Sequence, residues 1–267
     1  MPPAAPIPAS RPSPALPAIF LRRPLAHRAL HDLARARPEN SRAAVRAAVA
    51  AGYGIEIDLQ LSADGEALVF HDYDLGRLTG RAGAIRQISA TQAATIPLAG
   101  GDGETIPRLA EILALVAGRV PLLIELKDQD GAMGPAIGKL EAACVAALAG
   151  YHGPVALMSF NPHSVAEIGR LAPDRPRGLT TSAYDPAEWP LPVATCDRLR
   201  DIPDFEPTGA GFISHEATDL TRPRVQALRR AGTPVLCWTI RSAQAEAEAR
   251  RWSDNVTFED YAAARDA

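Results

Sequence analysis

The period of the hydrophobic positions changes repeatedly along this chain. Over residues 54–61, "GIEIDLQL", Ile55, Ile57, Leu59 and Leu61 alternate with Glu56, Asp58 and Gln60, the two-residue repeat of a strand. The preceding run at 40–52, "NSRAAVRAAVAAG", repeats its apolar residues at helical spacing, opens on the cap formers Asn40 and Ser41, and closes on Gly52. Further strand patterns fall at 18–28, at 66–72 behind the Asp64-Gly65 turn, and at 120–127, 154–160, 175–182, 209–216, 233–240 and 254–261. Helical patterns fall at 107–118, from 128 to Gly150, and at 161–173, 221–232 and 242–252. Residues 73–106 are polar, Gly-rich and weakly periodic, as expected of an inserted excursion. The segment between 183 and 208 reads as irregular and Pro-rich.

Strands that alternate with helices imply parallel pairing through crossovers, an α/β chain. The expected fold is an eight-stranded (β/α)8 barrel of the TIM type. Nine strand patterns are one too many for it, so the extra one is either the first run or a member of the 54–72 hairpin. The domain reading is one barrel domain over 18–267, with 73–106 as a small insertion. The Pro-rich segment 1–17 in front of it is expected to be extended, mobile and outside the fold.

Composition narrows the classes. The chain has 267 residues, 47% of them hydrophobic, enough for one large core, and a net charge of -3 without basic or acidic blocks. This excludes a nucleic-acid groove and a polybasic membrane patch. No apolar run is long enough to span a bilayer, and the N-terminus lacks the charged and apolar regions of a secretory signal. Cys144, Cys196 and Cys237 are odd in number, far apart and in apolar contexts, which predicts buried free thiols and a reducing, cytoplasmic setting. Of 28 Lys and Arg residues only Lys127 and Lys139 are lysine, so a retained lysine marks a place where a compact ammonium serves better than a planar guanidinium.

Polar residues gather at strand ends: His27 and Arg28 on the first, His71 and Asp72 on the third, Glu125 and Lys127 on the fourth, Phe160 on the fifth, Trp238 on a later one. In a parallel barrel those ends meet at one rim, where such folds place their chemistry. Residues two apart share a face, so Glu56 points with Asp58 and Glu125 with Lys127. Inward-facing acids repel one another unless a cation sits among them. Three carboxylates from two strands form an oxygen cage suited to Mg²⁺ or Ca²⁺. The competing reading places Glu56 and Asp58 on the solvated face of an edge strand and makes Glu125 and Lys127 a simple ion pair.

The ordered motifs His-Arg at 27–28, Pro-Glu-Asn at 38–40, Glu-x-Asp at 56–58, Asp-Gly at 64–65, His-Asp at 71–72 and Glu-x-Lys at 125–127 resemble the glycerophosphodiester phosphodiesterase family. The likeness extends more weakly through "LMSFNPHSV" and "VLCWTI" and covers roughly residues 25–260. The resemblance implies a TIM-type barrel with a small insertion after the His-Asp motif. It implies a divalent metal, Mg²⁺ or Ca²⁺, on Glu56, Asp58 and Glu125. It implies His27 and His71 as general acid and base, and Arg28 and Lys127 on the phosphate of a small-molecule phosphodiester. Phe160 and Trp238 would line the cleft, core packing being the alternative for each. A homo-oligomer is left open.

Two departures qualify the likeness. Ala29 stands where the family's His-Arg motif continues with glycine, and "DNVTFEDY" lacks the family's usual ending. They leave room for two rivals: a barrel that binds phosphodiesters or sugar phosphates with little turnover, and a lysophospholipase D-type relative.

Overall fold

The structure, a computed structural model, describes residue 7 and residues 9–265. Its strands are β1 Leu25–Ala26, β2 Gly54–Leu61, β3 Ala67–Val69, β4 Leu122–Leu126, β5 Val155–Ser159, β6 Arg177–Thr181, β7 Phe212–Glu216, β8 Val235–Ile240 and β9 Asn255–Phe258. The order around the sheet is β1-β9-β8-β7-β6-β5-β4-β2-β3, and the additional β1–β2 pairing closes a ring of eight parallel strands. β3 is the extra strand, antiparallel to β2 and outside the ring. Helices between successive strands cover the barrel: Arg42–Ala51, Leu109–Val116, Lys139–Ala147, Pro162–Leu171, Val193–Arg200, Pro223–Arg230 and Ala243–Ala249. This is the (β/α)8 TIM-type barrel.

The two faces of β2 show how the pattern builds the site. Ile55, Ile57 and Leu59 are fully buried in the layer between barrel and helices, against Val45, Ala48, Ile112 and Val116. Glu56 and Asp58 point the other way, into the barrel, and Asp58 pairs in register with Glu125 of β4. Two residues before β2, Gly52 adopts φ +74° and ends the Arg42–Ala51 helix, whose first turn is capped by Ser41.

Four expectations are corrected. The run 18–28 is not one strand: Ile19–Arg22 forms a single helical turn, and β1 contributes two residues after Pro24. That turn fills the N-terminal end of the barrel, where Phe20 and Leu16 pack on Leu25, Leu123, Ala156, Phe212 and Leu236. Burial of Phe20 alone contributes about 2 kcal/mol. The helix expected from 128 begins only at Lys139, because Gly131, Gly134, Pro135 and Gly138 break the repeat. The irregular segment 183–208 contains the Val193–Arg200 helix, which starts directly after Pro192.

The fourth correction concerns the Pro-rich start. Residues 1–6 and 8 lie outside the described residues. Residues 9–17 lie against the barrel rather than away from it. The amide of Ser10 donates to Pro207 at 2.8 Å and that of Ser13 to Gly209 at 2.7 Å. The buried guanidinium of Arg177 donates to the carbonyl of Arg11. A Cβ on Gly209 would clash with that carbonyl oxygen, and the residue holds φ +63°, so this approach requires glycine.

Residues 73–106 fold into a lobe beside the rim. Leu75, Leu78, Ile85, Ala90, Ile96 and Ile106 form a core of their own with Leu68 and Phe70. Cys144, Cys196 and Cys237 are buried and free. Among the described residues, no helix is long and apolar enough to cross a membrane.

Candidate active site

The C-terminal ends of the strands surround a cavity of ≈ 630 Å³ lined by His27, Arg28, Glu56, Asp58, His71, Glu125, Lys127, Phe160 and Trp238, among others. All nine residues singled out in the sequence therefore meet in one place.

At its floor, Glu56, Asp58 and Glu125 are buried and offer oxygens that lie within 4.8 Å of one another. This spread suits the oxygen shell of a hard divalent cation with ligands at about 2.0–2.6 Å. The electrostatics point the same way. Burial, with Asp58 and Glu125 nearby, pushes the Glu56 carboxyl well above its ordinary value. Burial also raises Glu125, although Lys127 opposes it. Burial would raise Asp58 too, but Lys127, His71 and Arg28 outweigh it and hold that group far below the usual range. The ammonium of Lys127 sits 2.8 Å from Asp58 Oδ1 and 2.5 Å from Glu125 Oε1. Burial disfavours its charge, yet Asp58 and Glu125 prevail and keep it protonated. Lys127 bridges Asp58 and Glu125, and Arg28 Nε lies 3.7 Å from Asp58 Oδ2. Among the described residues neither cation pairs with Glu56, which leaves room for a further positive charge beside it.

Neighbouring groups fix the oxygens. The Arg28 amide donates to Glu56 Oε2 at 2.9 Å, and Asn40 Nδ2 donates to Asp58 Oδ2 at 2.9 Å. Asn40 reaches that position at φ +57°, a left-handed backbone that asparagine tolerates.

The two imidazoles are held alike. His27 Nδ1 lies 2.6 Å from Glu259 Oε2, and His71 Nδ1 lies 2.7 Å from Asp72 Oδ1. Each ring thus keeps Nε2 for a ligand. Burial lowers the proton affinity of His27, and the hydrogen bond its Nδ1–H donates to Glu259 partly restores it. Arg28 Nη1 donates to Glu39 Oε1 at 2.8 Å.

Beyond the acids the wall is aromatic. The ring of Phe160 stands 5.5 Å from that of Trp238, edge to face, and 5.1 Å from that of Trp189. Trp238 Nε1 donates to the Ser214 carbonyl at 3.1 Å, which fixes the indole. Tyr73 and Arg241 also line the cavity.

Glu259, Arg77 and Trp189 are not among the residues singled out in the sequence, and Glu39 enters there only as part of the Pro-Glu-Asn motif, without a role. Glu259 carried a usable signal: it continues the inward alternation of Asn255 and Thr257 one step past β9. The others stand in loops or in the inserted lobe, where no period marks them.

Ala29 adopts φ +65°, and its amide donates to the Glu56 carbonyl at 2.9 Å. Alanine is strained there, but the backbone beside His27 keeps this conformation. Ala29→Gly is expected to stabilise the protein by about 1 kcal/mol, read as a thermal midpoint higher by about 2–4 °C.

A closed parallel barrel whose C-terminal rim joins a buried acid triad to two carboxylate-held imidazoles places this protein among phosphodiesterase barrel enzymes. The model of the glycerophosphoryl diester phosphodiesterase family matches residues 27–261, and the chain belongs to that family. It is 30% identical over 151 residues to the glycerophosphodiester phosphodiesterase of Caldanaerobacter subterraneus subsp. tengcongensis, a match covering 53% of this chain and 60% of that relative's length. Against the Bacillus subtilis (strain 168) protein YhdW it is 23% identical over 245 residues, 89% of this chain and 93% of the other. The fold is similar to that of an Oleispira antarctica phosphodiesterase solved with the product sn-glycerol-3-phosphate, at a TM-score of 0.71 and 26% identity, covering 89% of this chain and 92% of that one.

Proposed function

We propose that this protein is a metal-dependent phosphodiesterase that cleaves glycerophosphodiesters to sn-glycerol 3-phosphate and an alcohol. The observation that carries the reading is one cleft holding both the acid triad and two imidazoles, each tied through Nδ1 to a carboxylate. Family membership and the product complex of the Oleispira antarctica protein support the same substrate class.

In this reading Glu56, Asp58 and Glu125 hold the divalent ion, which when bound supplies positive charge to the phosphoryl oxygens. Arg28 and Lys127 bind the phosphate and offset the charge that builds during cleavage. His27, whose proton affinity burial lowers, takes the proton from the attacking glycerol hydroxyl at Nε2. His71 donates a proton from Nε2 to the departing alkoxide, which leaves a cyclic phosphate. Water then opens the cyclic phosphate to sn-glycerol 3-phosphate, with His71 taking the water's proton and His27 returning one to the glycerol oxygen. Phe160, Trp189 and Trp238 form the apolar wall beside the organic part of the substrate.

The test is release of sn-glycerol 3-phosphate from glycerophosphocholine with Mg²⁺ or Ca²⁺, suppressed by excess chelator. No release from any diester with any divalent ion overturns the reading, and full activity in chelator overturns its metal requirement.

Glu259→Gln is expected to lower kcat/KM by about ten- to a hundredfold. It should also move the acid limb of the pH profile downward. The sign follows from the base's need to be unprotonated: activity rises with pH through the His27 pKa, which burial lowers from its ordinary value and which Glu259 raises. Loss of that carboxylate lowers it further. An unchanged acid limb in a pH–rate series contradicts Glu259 as the partner of the base.

A further inference from the structure

Arg77 touches none of the triad oxygens and neither imidazole, yet it joins the groups that hold them. It belongs to the first turn of the inserted lobe, Gly76–Thr79. One edge of its guanidinium meets Asp72, with Nε 2.7 Å from Oδ2 and Nη2 2.8 Å from Oδ1. The other edge meets Glu39, with Nη1 2.7 Å from Oε2 and Nη2 2.9 Å from Oε1. Asp72 Oδ1 is also the partner of His71 Nδ1, and Glu39 Oε1 is also the acceptor of Arg28 Nη1. An unbroken chain of hydrogen bonds therefore runs His71–Asp72–Arg77–Glu39–Arg28. It links three stretches of sequence: the end of the hairpin, the lobe, and the loop before the Arg42–Ala51 helix. Only a planar fork can serve two carboxylates with paired bonds at once, and a lysine cannot reproduce it.

We propose that Arg77 is a positioning residue that acts through Asp72 and Glu39 to hold His71 and Arg28 in mutual register, so that docking of the inserted lobe and assembly of the phosphate site are one event. For its kinetic readout the proposal rests on the phosphodiesterase function proposed above. The lobe is then part of the working site rather than a cover beside it.

The experiment compares wild type, Arg77→Ala, Arg77→Lys, Asp72→Ala and the Arg77→Ala/Asp72→Ala double variant on glycerophosphocholine with Ca²⁺. Arg77→Ala should lower kcat by about tenfold or more, with a thermal midpoint within about 3 °C of wild type because the side chain is 48% exposed. Arg77→Lys should recover only part of the loss. The double variant should lose less than the product of the two single losses, since both act through His71. A kcat for Arg77→Ala within about twofold of wild type, full recovery in Arg77→Lys, or losses that multiply would each overturn the proposal.

Amide hydrogen exchange gives a readout independent of turnover. Arg77→Ala should speed exchange in both 28–40 and 70–72, and a change confined to 73–80 overturns the proposal. If wild type releases no sn-glycerol 3-phosphate from any diester, the functional reading fails, and the exchange result still decides the role of Arg77.

Discussion

Replacement of His27 or His71 by alanine is expected to lower kcat/KM for a glycerophosphodiester by about 10³-fold or more, with circular dichroism and thermal midpoint close to wild type. The large kinetic loss follows from the two proposed roles: each ring has its Nδ1 committed to a carboxylate, which leaves Nε2 for the reacting oxygens. The small structural loss follows from what remains. Without His27, Glu259 keeps Arg241 at 2.7 Å, so no buried carboxylate is orphaned. Without His71, Asp72 keeps the two-pronged bond from Arg77. A variant that stays folded and retains more than about a tenth of wild-type activity would remove that histidine from the proton transfers.

Glu56→Gln is expected to abolish stabilisation by divalent metal while leaving the metal-free protein at least as stable as wild type. Burial and the neighbouring carboxylates already hold the Glu56 carboxyl toward its protonated form, which glutamine imitates, and glutamine still accepts the Arg28 amide. Wild type with cation at about 100 times its Kd gains about 2.7 kcal/mol, which for a chain of this length raises the thermal midpoint by about 5–10 °C. The pH dependence has a definite sign. The folded carboxyl keeps its proton to higher pH than the unfolded one, so Glu56 costs the metal-free protein stability as pH rises from the unfolded glutamate value through the raised folded one. Glu56→Gln lacks that loss. Thermal melts with and without Ca²⁺ across pH measure both effects, and a metal-induced shift that survives in Glu56→Gln takes Glu56 out of the cation site.

The acids and lysine of the site were legible in the sequence through a two-residue period, and His27, Arg28, His71, Phe160 and Trp238 through their places at strand ends and in ordered motifs. Glu56 and Asp58 stand out because Ile55, Ile57 and Leu59 alternate with them, and Glu125 and Lys127 stand out at the end of "LLIEL" for the same reason. What stayed hidden was set by distant contacts. Arg77 and Glu39 are 38 positions apart, and nothing local marks either as a partner. The run at 18–28 looks like a strand because it is apolar, but its first part instead closes the barrel floor as a helical turn. The apolar content was read correctly and its geometry was not, since helical turn and strand bury Phe20 equally well. The helix expected from 128 failed on four breakers that local composition did contain, at 131, 134, 135 and 138.

The Ala29 departure also has a physical outcome. The backbone takes the positive φ that suits glycine despite the Cβ, and His27 still reaches Glu259. The strain therefore falls on stability rather than on the position of the imidazole, which weakens the reading of a barrel that only binds.

The most direct measurement is anomalous diffraction from crystals grown with Mn²⁺ and sn-glycerol 3-phosphate. One manganese peak is expected between Glu56, Asp58 and Glu125, with the phosphate within hydrogen-bond reach of the Nε2 atoms of His27 and His71. An ion seated elsewhere, or a phosphate that neither imidazole touches, would contradict the proposed mechanism.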